Sequence, residues 1–308
     1  VSKFQSAEWG NVQPFSLKES DSYTFKRNGG DFRVYLDPGP PAWLDTADVN
    51  GGTSPEFKWN MEFVSIWGSL LDPADGVKID ISPASIGNNP ALPNDLAGYH
   101  QFYDLYEGGD QSQGYTVNPK TGLPYAPQIV PRGDYTRVLA EFWADGPLSV
   151  TPPGHWFEIL NYINDQPGIV RRVRGVGPVC DPLEWDIKGY FVLGGAMHDA
   201  AIAAWSIKGR YDASRPVTAI RGMAGFGQCS DPNLPNYDKA GLPLVPGYIE
   251  LITNPLDPLA GQLGQYINTI KVRSWRGPNA INNPKTDVAG VGWIRADLWY
   301  PYQRPTFV

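Results

Sequence analysis

Residues 184 to 208, EWDIKGYFVLGGAMHDAAIAAWSIK, constrain the fold more than any other stretch. Its apolar residues recur at helical spacing. Gly194, Gly195, Ala196, Ala200, Ala201, Ala203 and Ala204 leave it almost without bulk on one side. Small residues allow close approach by neighbours, so a long helix at the centre of the structure is expected here. The apolar run inside it is broken by His198 and Asp199, and it is too short to cross a bilayer.

Two further helices are predicted upstream. GDYTRVLAEFWADGP, 133 to 147, offers Asp134 as an N-cap and Val138, Leu139, Phe142 and Trp143 on one face, with a Gly-Pro stop. TPPGHWFEILNYIND, 151 to 165, offers Thr151 followed by prolines suited to a first turn, with Trp156, Ile159, Leu160 and Ile163 on one face. A short helix PVTAIRG and a brief helical PGYIELIT are expected after Arg215.

Elsewhere turn residues dominate. Gly 34 and Pro 30 mark a loop-rich chain, while Trp 11, Tyr 16 and Phe 12 require a folded interior. SYTFKRN and DFRVYL alternate apolar and polar residues around Asn-Gly-Gly, the signature of a β-hairpin. The fold class expected is mainly α, in three consecutive segments of a single domain portion. These are a loop-rich wrapping region 1 to 130 with the hairpin, a helical core segment 131 to 222, and a loop-rich segment 223 to 308.

The formal net charge of -7 and a pI near 5.0 argue against nucleic acid or an anionic membrane as partner. Starting at Val1 without a charged, apolar leader, the chain reads as processed and exported, so a secreted or periplasmic location is expected. Cys180 and Cys229 are expected to pair, closing a loop worth about 4 kcal/mol in the chain-entropy model; the alternative is two thiols that serve as small apolar residues. The three histidines, His100, His155 and His198, are too scattered for a zinc site. A calcium role for the acidic loops 72 to 80 and 104 to 110 is not expected, because neither has calcium-loop spacing.

The stretch KGRYDASRP, 208 to 216, admits two readings. Lys208 and Arg210 can be the solvated, dipole-compensating end of a helix. Alternatively, with Ser214 as a cap and Pro216 in the first turn, Arg215 stands at the positive start of the next helix, where an anion is welcome. Arg295 and Arg304 are weaker candidates to line an anion site.

Lys208, six intervening residues and Arg215-Pro216 resemble the first of three signature blocks of the vanadium-dependent haloperoxidases and the related type-2 phosphatidic acid phosphatases. The flanks DAAIAAWSIKGRYDASRPVTAIR, LAEFWADGP, TPPGHW, WGNVQPF and DPGPP are similar to segments of the bacterial haloperoxidase-like branch, so the resemblance spans the chain. It implies a haloperoxidase-like helical bundle in which Lys208 and Arg215 bind oxygens of vanadate, or of phosphate in the phosphatase branch. The activity implied is oxidation of halide by hydrogen peroxide. The alternatives are a phosphatase acting through a phosphohistidine, or a non-catalytic secreted protein that has kept the fold.

The family's two further blocks, each with a histidine, have no counterpart here: no His follows His198. The look-alike PPGH, 152 to 155, precedes Lys208 instead of following it, so His155 is read as a packed helix-start residue. His198 would lie about 15 Å from Lys208 along a continuous helix. It is therefore read as bonded to a neighbour, with Asp199 bonding another segment. The chain is accordingly expected to be an N-terminal portion, inactive alone, with its catalytic blocks either on a second chain made by proteolytic cleavage or lost by truncation. Small molecules (peroxide, halide or a phosphate ester) and another copy of itself complete the expected partners.

Overall fold

The computed structural model describes residues 7–47, 55–85, 93–103, 114–143, 150–276, 280 and 290–302. Contacts group the chain into two compact units, each built from two separated stretches: Val1–Pro41 with Asp145–Ala213, and Ala42–Ala144 with Ser214–Val308. The described residues are mainly α, with small antiparallel sheets. Among them no helix is long and apolar enough to cross a membrane.

The first unit is organised by the expected long helix, α5 (Pro182–Tyr211). Asp181 caps its start, accepting from the Glu184 amide at 3.0 Å, and Pro182 occupies the first position, where it has no bond to lose. At the other end Asp212 turns left-handed, with φ 48 and ψ 42, and its N–H closes on the Lys208 carbonyl.

Helix α4 (Pro152–Asn164) begins where expected, with the Thr151 hydroxyl accepting from the Gly154 amide at 3.3 Å. It meets α5 where glycine leaves space: a Cβ on Gly189 would touch Leu160 at 3.5 Å, and one on Gly194 would touch Phe157 at 3.8 Å. Buried Asn164 locks the pair. Its amide donates to Asp186 at 3.1 Å, and its carbonyl accepts from the Trp185 indole at 2.9 Å.

The predicted hairpin pairs β1 (Ser22–Arg27) with β2 (Gly30–Tyr35), turning at Asn28 and Gly29, both at positive φ. It lies against the C-terminal half of α5. The Tyr35 amide donates to Ser206 Oγ, and the Arg27 guanidinium reaches both the Gly209 carbonyl and Asp212. Gly195 is what admits the N-terminal segment, since a Cβ there would meet the Phe15 ring at 2.4 Å. The small residues of α5 thus receive one helix, one hairpin and an extended strap.

The outer half of α5 is bare. Leu183, Ile187, Phe191 and Val192 are each at least 61% exposed, and Tyr162, Val170 and Val176 of the same unit are equally open. The apolar face predicted for α4 is half covered at best, with Trp156 and Ile163 near 45% exposed.

The second unit has its own core, in which Ile66, Ile220, Met223, Leu242, Ile249, Val272 and Trp299 cluster. Ile66 comes from α1 (Pro55–Trp67), and Ile220 and Met223 from α6 (Pro216–Phe226). A three-stranded antiparallel sheet orders β5 (Ile249–Leu251), β6 (Ile270–Trp275) and β7 (Val291–Arg295). Ahead of it lie α2 (Leu96–Phe102), the pair β3 (Lys78–Asp80) and β4 (Ile129–Pro131), and α3 (Arg132–Phe142).

Four expectations need correction here. PGYIELIT is not helical: Ile249 is fully buried and pairs with Val272, so β5 takes that stretch. Helix α1 lies inside the region read as loops and strands, although Phe57, Met61 and Val64 have helical spacing behind Pro55. Helix α3 starts at Arg132, which places Asp134 in its first turn, paired with Arg137 at 2.7 Å, and not at the cap. Its face of Val138, Leu139, Phe142 and Trp143 is 39–61% exposed, because α3 is anchored instead by the buried Arg132–Asp75 pair at 2.8 Å.

The Cys180–Cys229 disulfide is likewise absent: both are free thiols, each in its own setting. Cys180 is buried with the Lys188 ammonium 3.9 Å from its sulfur. Cys229 is half-buried in the second unit, where withdrawal from water pushes its thiol pKa up against the opposing pull of Lys58.

Candidate oxyanion site

Lys208 projects from the last turn of α5, exposed, with its ammonium 4.1 Å above the ring of Trp205. The two are neighbours on one helix face by their i, i+3 spacing, a relationship readable from the sequence but not drawn from it. A cation over an indole is held in place while keeping its charge.

Arg215 is the N-cap residue of α6, with φ -74 and ψ 153, and its own carbonyl accepts from the amides of Thr218 and Ala219 at 3.0 Å. Ser214 therefore precedes the cap and does not serve as one. The reason is that Pro216, fixed near helical φ, starts the helix directly after Arg215. No side chain caps this end, and among the described residues no carboxylate pairs with the exposed Arg215 guanidinium. An uncompensated arginine at the positive end of a helix dipole is unfavourable alone and favourable with an anion.

The histidines are elsewhere and occupied differently. His198 donates from Nε2 to the Gln13 carbonyl at 2.8 Å. Next to it, the Asp199 carboxylate receives the amides of Phe15 and Ser16 at 2.7 Å each, the Ser16 hydroxyl at 2.5 Å and the Leu17 amide at 3.2 Å. Burial alone would raise the Asp199 pKa, but these four donors outweigh it and hold the carboxyl below its usual range. Asp199 bonds another segment, as the sequence reading expected, while the bond of His198 also runs to that distant segment and leaves its ring partly exposed. His155 is buried in the first turn of α4, with Glu158 3.9 Å from its ring. His100 sits on α2, stacked on Trp59 at 3.9 Å.

Of the weaker candidates, Arg295 is neutralised by a two-pronged contact with Asp297 at 3.0 Å and lies over the Tyr266 ring at 3.5 Å. Arg304 and the acidic loop 104 to 110 are outside the described residues. No group of three His, Cys, Asp or Glu among the described residues could hold a metal ion.

The donor set is cationic, with Lys208 in the first unit and Arg215 in the second, and each of the two suits an oxyanion by its charge. It does not fit a bond to vanadium. The histidine nearest in sequence, His198, is committed to the Gln13 carbonyl, and none lies between residues 216 and 308.

Residues 188–307 match the family model described as the VCPO second helical-bundle domain. The match takes in most of α5, all of α6 and the three-stranded sheet, and so contains both Lys208 and Arg215. No curated protein and no solved structure matches the chain. The match over residues 188–307 supports a vanadium haloperoxidase-like superfamily assignment.

Proposed function

We propose that this chain supplies the cationic wall of an oxyanion pocket in a vanadate-dependent haloperoxidase-like protein. The observation that carries the reading is the exposed Arg215 guanidinium, unpaired among the described residues at the start of α6 and seven residues after Lys208. When bound, vanadate would supply the oxidising centre for halide. The part played by Lys208 and Arg215 is to neutralise the oxyanion and fix its orientation by charge-assisted bonds. A histidine for the metal would come from polypeptide outside these 308 residues.

Equilibrium dialysis against orthovanadate tests the wall without requiring activity. Arg215→Gln and Lys208→Gln should each weaken binding by about tenfold, the loss of one charge-assisted bond. Binding unchanged in both variants, or no saturable binding by the parent, overturns the reading. Bromination of a phenol acceptor with peroxide and bromide then tests the activity in the assembled protein.

A further inference from the structure

A pocket in the second unit carries an arginine, Arg276, that the oxyanion reading does not use. Strands β6 and β7 run antiparallel to the pair Trp275 and Val291, and the Arg276 amide continues the ladder by donating to the Gly290 carbonyl at 3.0 Å. The Arg276 side chain then lies back over β7, across two glycines. A Cβ on Gly290 would meet its Nη2 at 2.9 Å, and one on Gly292 would meet its Cδ at 3.1 Å. Glycine at both positions is what lets the arginine lie there.

This arginine lines a pocket of about 350 Å³ together with Arg295, Tyr266, Tyr300, Ile294 and Leu298. That volume is at the small-ligand end of known sites. The two arginines are electrostatically different. Arg295 is spent on Asp297 and on the Tyr266 ring. The Arg276 side chain makes no hydrogen bond or ion pair among the described residues, so it brings a free planar fork to a wall that is, apart from the two arginines, mostly apolar and aromatic. Tyr300 is held in turn by Arg221, whose guanidinium sits 4.6 Å from its ring and donates to the neighbouring Trp299 carbonyl at 2.8 Å.

We infer that this pocket binds a small aromatic monocarboxylate. The ring would lie among the tyrosines, Ile294 and Leu298, and its carboxylate would take the Arg276 fork in a two-bond contact. One free cation suits one negative charge. A dianion such as an aryl phosphate would leave charge unmatched, with the Asp297 carboxylate close by on Arg295.

Calorimetric titration with benzoate as probe tests this, with benzyl alcohol, acetate and phenyl phosphate as comparisons. Benzoate should bind saturably at a Kd below roughly 10 mM, and each comparison at least about tenfold more weakly. Arg276→Gln should weaken benzoate by about tenfold with the melting temperature unchanged. Gly290→Val keeps the charge but pushes the guanidinium aside, and should weaken benzoate similarly. The inference is overturned if benzoate shows no saturable binding, if any comparison binds as tightly, or if both variants bind like the parent. None of these outcomes bears on orthovanadate binding at Lys208 and Arg215, so the two proposals fail separately.

Discussion

Ser16 donates both its amide, at 2.7 Å, and its hydroxyl, at 2.5 Å, to the same oxygen of Asp199 in the middle of α5. With the Phe15 and Leu17 amides this makes a carboxylate clamp on the N-terminal strap. Asp199→Ala should lower unfolding free energy by about 3 kcal/mol or more, since several charge-assisted bonds are lost together. Urea denaturation of the parent and the variant measures it.

The same clamp sets an acid limit. The Asp199 pKa is lower folded than unfolded, so its contribution is complete above the ordinary aspartate value of about 4 and disappears as pH falls through the depressed one. Between neutral pH and pH 3 the parent should lose more stability than Asp199→Asn. Urea midpoints recorded across that range provide the check.

Tyr211 should titrate late. Withdrawal from water and then its hydrogen bonds to Asp37, at 2.9 and 3.0 Å, push its pKa up to about 12. A raised pKa stabilises the fold fully below the ordinary tyrosine value of about 10, and that contribution is lost as pH rises toward the folded value. Phenolate absorbance should show a late-ionising tyrosine that Tyr211→Phe removes.

Gly68→Ala should destabilise the second unit by about 2 kcal/mol, the usual penalty of overpacking. Its new Cβ would fall 2.5 Å from Ser274 Oγ, which accepts from the buried Trp299 indole at 3.1 Å. A blue-to-red shift of tryptophan emission at lower denaturant would report the loss.

Leu183→Gln combined with Ile187→Gln should leave stability within about 0.5 kcal/mol of the parent, because neither side chain has packing to lose. Binding of an apolar fluorescent dye should fall markedly, because these residues form much of the bare face of α5.

The elements that carry local signals were legible in the sequence. The Asn28-Gly29 turn, the Thr151 cap and the continuous small-residue helix all follow from residues adjacent in the chain. So does Arg215 at a helix start, since Pro216 fixes the backbone there. What was not legible depends on partners far away in sequence. Ile249 is apolar in a helix-compatible context, and only its pairing with Val272 makes it a strand residue. Val138 and Leu139 have a helical period, yet burial requires a surface to receive them. Arg276 looks like any turn arginine until the antiparallel register sets it opposite Gly290.

The Asp199 clamp also has a temporal side. Its donors and acceptor are about 184 residues apart, so during synthesis the strap leaves the ribosome long before the carboxylate it binds. At the usual elongation rate of about 5–20 residues per second that gap lasts roughly ten to forty seconds. Through that interval Phe15 has no Gly195 to rest against, and the hairpin has no helix to cover it. A chaperone that shields short apolar segments on nascent chains would find its binding site there, and would have to release it once α5 emerges.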